Sequence, residues 1–265
     1  MSPIGGVLFD IDGVLMSSWQ PISGAAETVK ILRDHDVACA FLTNTTSKTR
    51  EQIADALGGS GIEVHADEIV TAATLTADHL RTTYPGARCV LLNSGVIADD
   101  LPGVEWVDTD PDVVVLGGAG EQFTHDALSR VYDWMCQGVP VVAMHRSLMW
   151  TNEKGLRIDT GMYLTGMESA SGRKATAVGK PAPLGFQTSA ERMGVDPDLV
   201  VMVGDDLDND VLAAQVVGMR GVLVRTGKFR QERLDRHARD QYAMQPAFVV
   251  DSVADLPAVL DIGAS

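Results

Sequence analysis

Short, unbroken apolar runs recur along this chain with segments of helical spacing between them, and that alternation restricts the fold to an α/β architecture on a parallel sheet. The runs at residues 6–9, 37–42, 199–203, 221–224 and 247–250 show no in-out alternation, as befits strands covered on both faces. Helices are expected over 24–33, with Ser23 as N-cap, and over 211–217 and 253–260. From about residue 80 the pattern changes. Strands at 88–92, 113–116 and 139–144, with a helix at 125–137, read as a second α/β unit. The expected organisation is a discontinuous core of residues 1–79 and 172–265, with residues 80–171 inserted as a separate domain.

A formal charge of −15 argues against nucleic acid or an anionic membrane as a partner, since both need a basic face. An anionic substrate must then be drawn by a metal, backbone N–H groups and a few placed cations. No apolar run reaches membrane-spanning length and the first residues lack the basic-then-apolar pattern of a leader, so a cytoplasmic location is expected. Cys39, Cys89 and Cys136 stand singly in apolar stretches and read as reduced core thiols.

Chemistry concentrates where the strands end. Asp10 and Asp12 follow the first run, two residues apart and so on one side of an extended chain, and Gly13 lets the backbone turn at once. Two like charges so placed require a divalent cation or a proton between them. The second run ends in Thr43-Asn44, and Gly204-Asp205-Asp206 with Asp210 follows the run at 199–203. Lys180 stands in a loop before Pro181. In an open parallel sheet such ends share one edge, where ligands bind. The glycines at 117–120 fit either a close approach to a ligand or a plain turn.

These segments, Asp10-Ile11-Asp12-Gly13-Val14-Leu15, Leu42-Thr43-Asn44, Gly179-Lys180-Pro181 and Gly204-Asp205-Asp206 with Asp210, resemble the four motifs of the haloacid dehalogenase (HAD) superfamily. The position of the inserted unit is similar to that of C2-cap, NagD-type phosphatases. The Thr-Gly-Lys-Phe run at 226–229 resembles the branch holding the phospholysine/phosphohistidine/inorganic pyrophosphate phosphatase. Some members of that branch carry serine where Asp12 stands, so this chain is better equipped for acid catalysis. The fold implied is a Rossmann-like parallel-sheet core with an α/β C2 cap.

The resemblance implies Asp10 as nucleophile and Asp12 as acid and base. It implies Mg²⁺ on Asp10, the Asp12 backbone carbonyl and Asp205, with Asp206 and Asp210 orienting that shell. Thr43, Asn44 and Lys180 are implied to bind phosphate. The substrate implied is a small phosphorylated metabolite, and a homodimer through the cap is compatible with it. In the cap, the loop 145–153 offers His145, Arg146 and Trp150 as readers of the leaving group, or is simply a solvated hairpin. Three other readings stay open: a protein phosphorylated on aspartate for regulation, a phosphate-binding protein without turnover, and dehalogenase chemistry. Asp12 speaks against the last, because carbon–halogen cleavage needs no leaving-group acid.

Overall fold

The computed structural model describes residues 3–152, 155–240 and 242–263. In chain order the strands are β1 (Gly6–Phe9), β2 (Met16–Ser17), β3 (Gln20–Pro21), β4 (Ala38–Thr43), β5 (Ile69–Thr71), β6 (Arg88–Leu92), β7 (Glu105–Trp106), β8 (Val113–Leu116), β9 (Val141–Ala143), β10 (Met149–Asn152), β11 (Gly155–Ile158), β12 (Thr176–Ala177), β13 (Val200–Gly204), β14 (Arg220–Val224) and β15 (Phe248–Val250). The helices used below are α1 (Ala25–Asp34), α2 (His125–Gln137), α3 (Thr160–Ser171) and α4 (Ala213–Val216). The chain forms two compact units, one of Met1–Thr43, Glu51–Val70 and Pro181–Ser265, the other of Asn44–Arg50 and Thr71–Lys180.

The first unit carries a six-stranded sheet in the order β15-β14-β13-β1-β4-β5. From β15 to β4 every neighbouring pair is parallel. Val7, Leu8 and Phe9 are fully buried, which is why the run shows no alternation, and Phe9 stacks on Phe41 of β4 at 5.8 Å between ring centroids. Along the chain β1 leads to β4 on one side, whereas β13 lies on the other. The carboxyl end of β1 is therefore a switch point in strand order, where an open sheet leaves a crevice.

Two helix ends differ from the sequence expectation. Ser23 is not the N-cap of α1: Gly24 holds that position at φ +81° without a side-chain cap, and a Cβ there would come within 2.6 Å of the Ala254 Cβ. The helix expected at 211–217 is instead a π-helical stretch, Leu207–Leu212, followed by the short α4. Its first turn is tied by the Asp206 carboxylate, which accepts from the N–H groups of Asp208 and Asn209 at 3.1 Å.

The second unit is built on a five-stranded parallel sheet, β12-β9-β8-β6-β7. Val114, Leu116, Val141 and Ala143 from its strands pack with Val131 and Met135 of α2 and Leu164 of α3. Cys136, expected in a core, is exposed, because its neighbour Met135 takes the inward face of α2. The glycines at 117–120 approach the protein's own polar groups. A Cβ on Gly118 would sit 2.5 Å from Thr46 Oγ1, and the Gly118 N–H donates both to that hydroxyl and to Asn93 Oδ1 at 2.9 Å.

Glu168 of α3 is buried and accepts two bonds from the Arg146 guanidinium, at 2.8 and 2.7 Å, and one from the Ala175 N–H at 2.9 Å. Arg146 above all, against the opposing cost of burial, holds its carboxyl down at about 2. A carboxyl lowered by folding contributes stability above its ordinary value of 4.5, and that contribution is lost as pH falls toward 2. The arginine side chain is 34% exposed, so solvent screens part of the pair. Glu168→Gln is expected to cost about 1–3 kcal/mol at pH 7 and progressively less below about pH 4.5, measured by urea unfolding at stepped pH.

Candidate active site

In the first unit the carboxyl ends of β1 and β13, adjacent strands, bring acids together. The Asp10 N–H donates to the Val203 carbonyl at 2.9 Å, carrying the parallel ladder one residue past β1. Its Oδ1 accepts from the Ile11 N–H at 2.8 Å, which fixes the carboxylate's rotamer. The turn then closes tightly, with the N–H groups of Leu15 and Met16 both donating to the Ile11 carbonyl at 3.0 Å. Asp12 is half-buried on this turn, and Gly13 takes φ +88°. A Cβ on Gly13 would overlap Asp205 Oδ2, so the turn needs glycine for space as well as for its dihedral.

Asp205 follows β13 and is 1% exposed, as is Asp210; Asp10 is 3% exposed. One oxygen from each of these three lies within 4.8 Å of the other two. Asp210 is brought in by the π-helical stretch. The Asp206 N–H donates to its Oδ2 at 3.2 Å, and a Cβ on Gly204 would overlap its side chain. Asp206 itself points its carboxylate to the helix start. Of the two acids expected to orient the metal shell, Asp210 thus joins the carboxylate group and Asp206 caps the turn.

Burial, then the charges of Asp10 and Asp210, push the Asp205 carboxyl up to about 8. Its Oδ2 accepts from the Lys228 N–H at 2.7 Å, while its Oδ1 is buried with no hydrogen-bond partner among the described residues. Three buried, closely spaced carboxylates with one oxygen left unsatisfied fit a hard divalent cation, which takes oxygen ligands and offsets the repulsion among them. Thr43, the buried last residue of β4, ends the strand beside β1.

Asn44 and Lys180 belong to the second unit and are tied to each other. The Lys180 N–H donates to Asn44 Oδ1, and Asn44 Nδ2 donates to the Lys180 carbonyl, both at 2.9 Å. Gly179 allows this, since a Cβ there would come within 2.6 Å of the Asn44 amide oxygen. Lys180 is 4% exposed, a burial that sets it apart from an ordinary surface lysine. Of the three candidates on the loop 145–153, His145 is buried, with Nδ1 accepting from the Ser147 N–H at 3.3 Å. Arg146 is committed to Glu168, and Trp150 on β10 is 40% exposed. Glu153, at the end of that loop, lies outside the described residues.

The loop at 226–228 contributes more to this site than its sequence announced. Thr226 Oγ1 donates to the Gly13 carbonyl, and Gly227 lies against Asp205. In sequence it stood out only as part of a family-like run. Its role depends on a third strand end, that of β14, reaching the acids from β1 and β13.

A haloacid dehalogenase-like hydrolase family model matches residues 7–106, and a HAD-hydrolase-like model matches residues 177–256. The haloacid dehalogenase-like hydrolase domain-containing protein 2 of Pongo abelii is 35% identical over 84% of this chain and 85% of its own. The phospholysine phosphohistidine inorganic pyrophosphate phosphatase of Danio rerio is 34% identical over 96% of this chain and 95% of its own. Among solved structures, the p-nitrophenyl phosphatase from Archaeoglobus fulgidus aligns with a TM-score of 0.88 at 28% identity, covering 97% of this chain and 99% of that one. NagD from E. coli K-12 aligns with a TM-score of 0.83 at 28% identity, covering 96% and 98%. Among the described residues no helix is long and apolar enough to cross a membrane.

Proposed function

This chain belongs to the haloacid dehalogenase-like hydrolases and is a phosphatase of that family; we propose that it hydrolyses a small phosphorylated metabolite through an aspartyl-phosphate on Asp10, with Mg²⁺. The observation that carries this reading is the meeting of Asp10, Asp205 and Asp210 at the carboxyl ends of β1 and β13.

An Asp10 carboxylate oxygen attacks phosphorus, forming the acyl-phosphate bond as the ester P–O bond breaks. Asp12, two residues on along the same turn, delivers a proton to the departing oxygen. In the second half a water attacks the same phosphorus, Asp12 takes its proton, and orthophosphate leaves with Asp10 restored. Asp10, Asp205 and the Asp12 backbone carbonyl, with Asp210 beside them, would hold Mg²⁺, which would neutralise charge on nucleophile and phosphate. Thr43, the Asn44 N–H and Lys180 are assigned to the phosphoryl oxygens, where transition-state charge spreads. Asn44 then has a double part, since its side chain also holds the Lys180 backbone. Arg146 is better explained by Glu168 than by a leaving group, which leaves His145 and Trp150 as the candidates in that loop.

Release of phosphate from p-nitrophenyl phosphate, with Mg²⁺ and with a chelator, tests the reading. Turnover that requires the metal supports it. Turnover indifferent to the chelator contradicts it, and a folded, Mg²⁺-loaded protein that never turns over would favour the phosphate-binding or regulatory alternative.

A further inference from the structure

We propose that the Thr226–Lys228 loop is a positioning device for the metal site: it selects which oxygen of Asp205 faces the cation and locks the turn that carries Asp12. This inference rests on the metal-dependent reading above and concerns residues outside the acidic motifs. Three observations carry it. The Lys228 N–H donates to Asp205 Oδ2 at 2.7 Å and takes up one of that oxygen's lone pairs, whereas Oδ1 is buried without a hydrogen-bond partner among the described residues. Thr226 Oγ1 donates to the Gly13 carbonyl, fixing the peptide that follows the Asp12–Gly13 pair. Gly13 and Gly227 lie directly against each other, both beside Asp205 Oδ2. A Cβ on Gly227 would lie 2.6 Å from the Gly13 Cα and overlap Asp205 Oδ2, and a Cβ on Gly13 would lie 3.0 Å from the Gly227 Cα.

The arrangement is therefore a clasp with two side-chain-free jaws closed by two hydrogen bonds. Its outer end is anchored where β14 leaves the sheet, through the Arg225 N–H to the Val250 carbonyl at 2.9 Å. Gly227 also sits at φ +57°, so any replacement strains the loop as well as crowding it. A carboxylate held on one oxygen by a backbone donor is pre-oriented: the cation meets one fixed lone-pair direction instead of a rotating group.

The test uses Mn²⁺ alone as the probe, titrated into the full chain and followed by electron paramagnetic resonance of the free ion. Thr226→Val keeps the shape and removes the donor, while Thr226→Ser keeps the donor and removes a methyl. Both change a half-buried surface loop, and thermal unfolding checks that each is folded. Thr226→Val and Gly227→Ala are expected to raise the Mn²⁺ Kd by about 10-fold or more, the range for outer-shell partners of metal ligands, and Thr226→Ser by less than about 3-fold. Asp205→Asn serves as the control for the site itself. If Asp205→Asn weakens Mn²⁺ while both Thr226→Val and Gly227→Ala bind like wild type, the clasp is overturned and the metal site stands. If wild type binds no Mn²⁺, or Asp205→Asn binds it unchanged, the metal-site reading falls and the clasp with it.

Discussion

Asp10→Asn is expected to lose turnover of p-nitrophenyl phosphate by a factor on the order of 10⁴ or more while the metal-free protein becomes harder to unfold. The two effects have one origin. An amide has the shape of the carboxylate and can still accept from the Ile11 N–H, so the turn after β1 has no reason to rearrange. It cannot attack phosphorus as an anion, however, and no second carboxylate stands on the end of β1 in the position of Asp10. At the same time one of three buried acids within 4.8 Å of one another has been neutralised, and the repulsion in the metal-free site drops. A protein in which Asp10 were merely a structural residue would show the reverse pattern, with stability lost and turnover largely kept. Steady-state kinetics with excess Mg²⁺ and thermal unfolding in chelator, on the same preparations, separate the two.

Asp205→Asn should have the second largest effect, and its signature is a pH dependence. Folding raises this carboxyl from its ordinary 3.8 to about 8, chiefly through burial and then through Asp10 and Asp210. A group raised by folding contributes its stability in full below the unfolded value and loses it as pH climbs through the folded one. In the metal-free protein Asp205 therefore becomes steadily more costly between about pH 4 and 8. Asparagine has no such cost, so the metal-free variant should match wild type near pH 4 and be more stable by a few kcal/mol, on the order of magnitude set by the shift, above pH 8. With Mg²⁺ the ranking inverts. Wild type gains stability by linkage to the bound ion, whereas the variant gains little, and its turnover falls by about 10² or more. Unfolding curves at pH 4, 6 and 8.5 with and without Mg²⁺ measure both. Stabilisation of wild type and variant by equal amounts would remove Asp205 from the metal site.

Much of this was legible in the chain itself. Val7, Leu8 and Phe9 read as a strand buried on both faces because nothing polar interrupts them, and they occupy the middle of a six-stranded sheet. The α/β class followed from the alternation of apolar runs with helical segments, and the family from strand ends that deliver acids and hydroxyls together with a lysine on a loop. What escaped depended on contacts made at long range. Ser23 looked like an N-cap because serine commonly is one, yet the packing of Gly24 against Ala254, some 230 residues away, decided the helix start. Cys136 looked buried by its apolar neighbours, although helical phase turned Met135 inward instead. Asp206 and Asp210 were indistinguishable in a run of acids. Only the π-helical stretch, which shifts the phase of the residues after β13, gives one the cap and the other a place beside Asp10 and Asp205. The loop at 226–228 has no acid or histidine to mark it as chemical, and its part comes from one hydroxyl donor, one backbone N–H and the missing side chains of Gly227 and, facing it, Gly13.

The most direct measurement is an acid quench of the enzyme during turnover, followed by mapping of the phosphoryl group by peptide mass spectrometry, on wild type and on Asp12→Asn to slow the second half-reaction. A phosphoryl group is expected on the peptide spanning residues 6–16, located to Asp10 and absent from Asp10→Asn. A phosphoryl group on another residue, or turnover by Asp10→Asn at the wild-type rate, would contradict it.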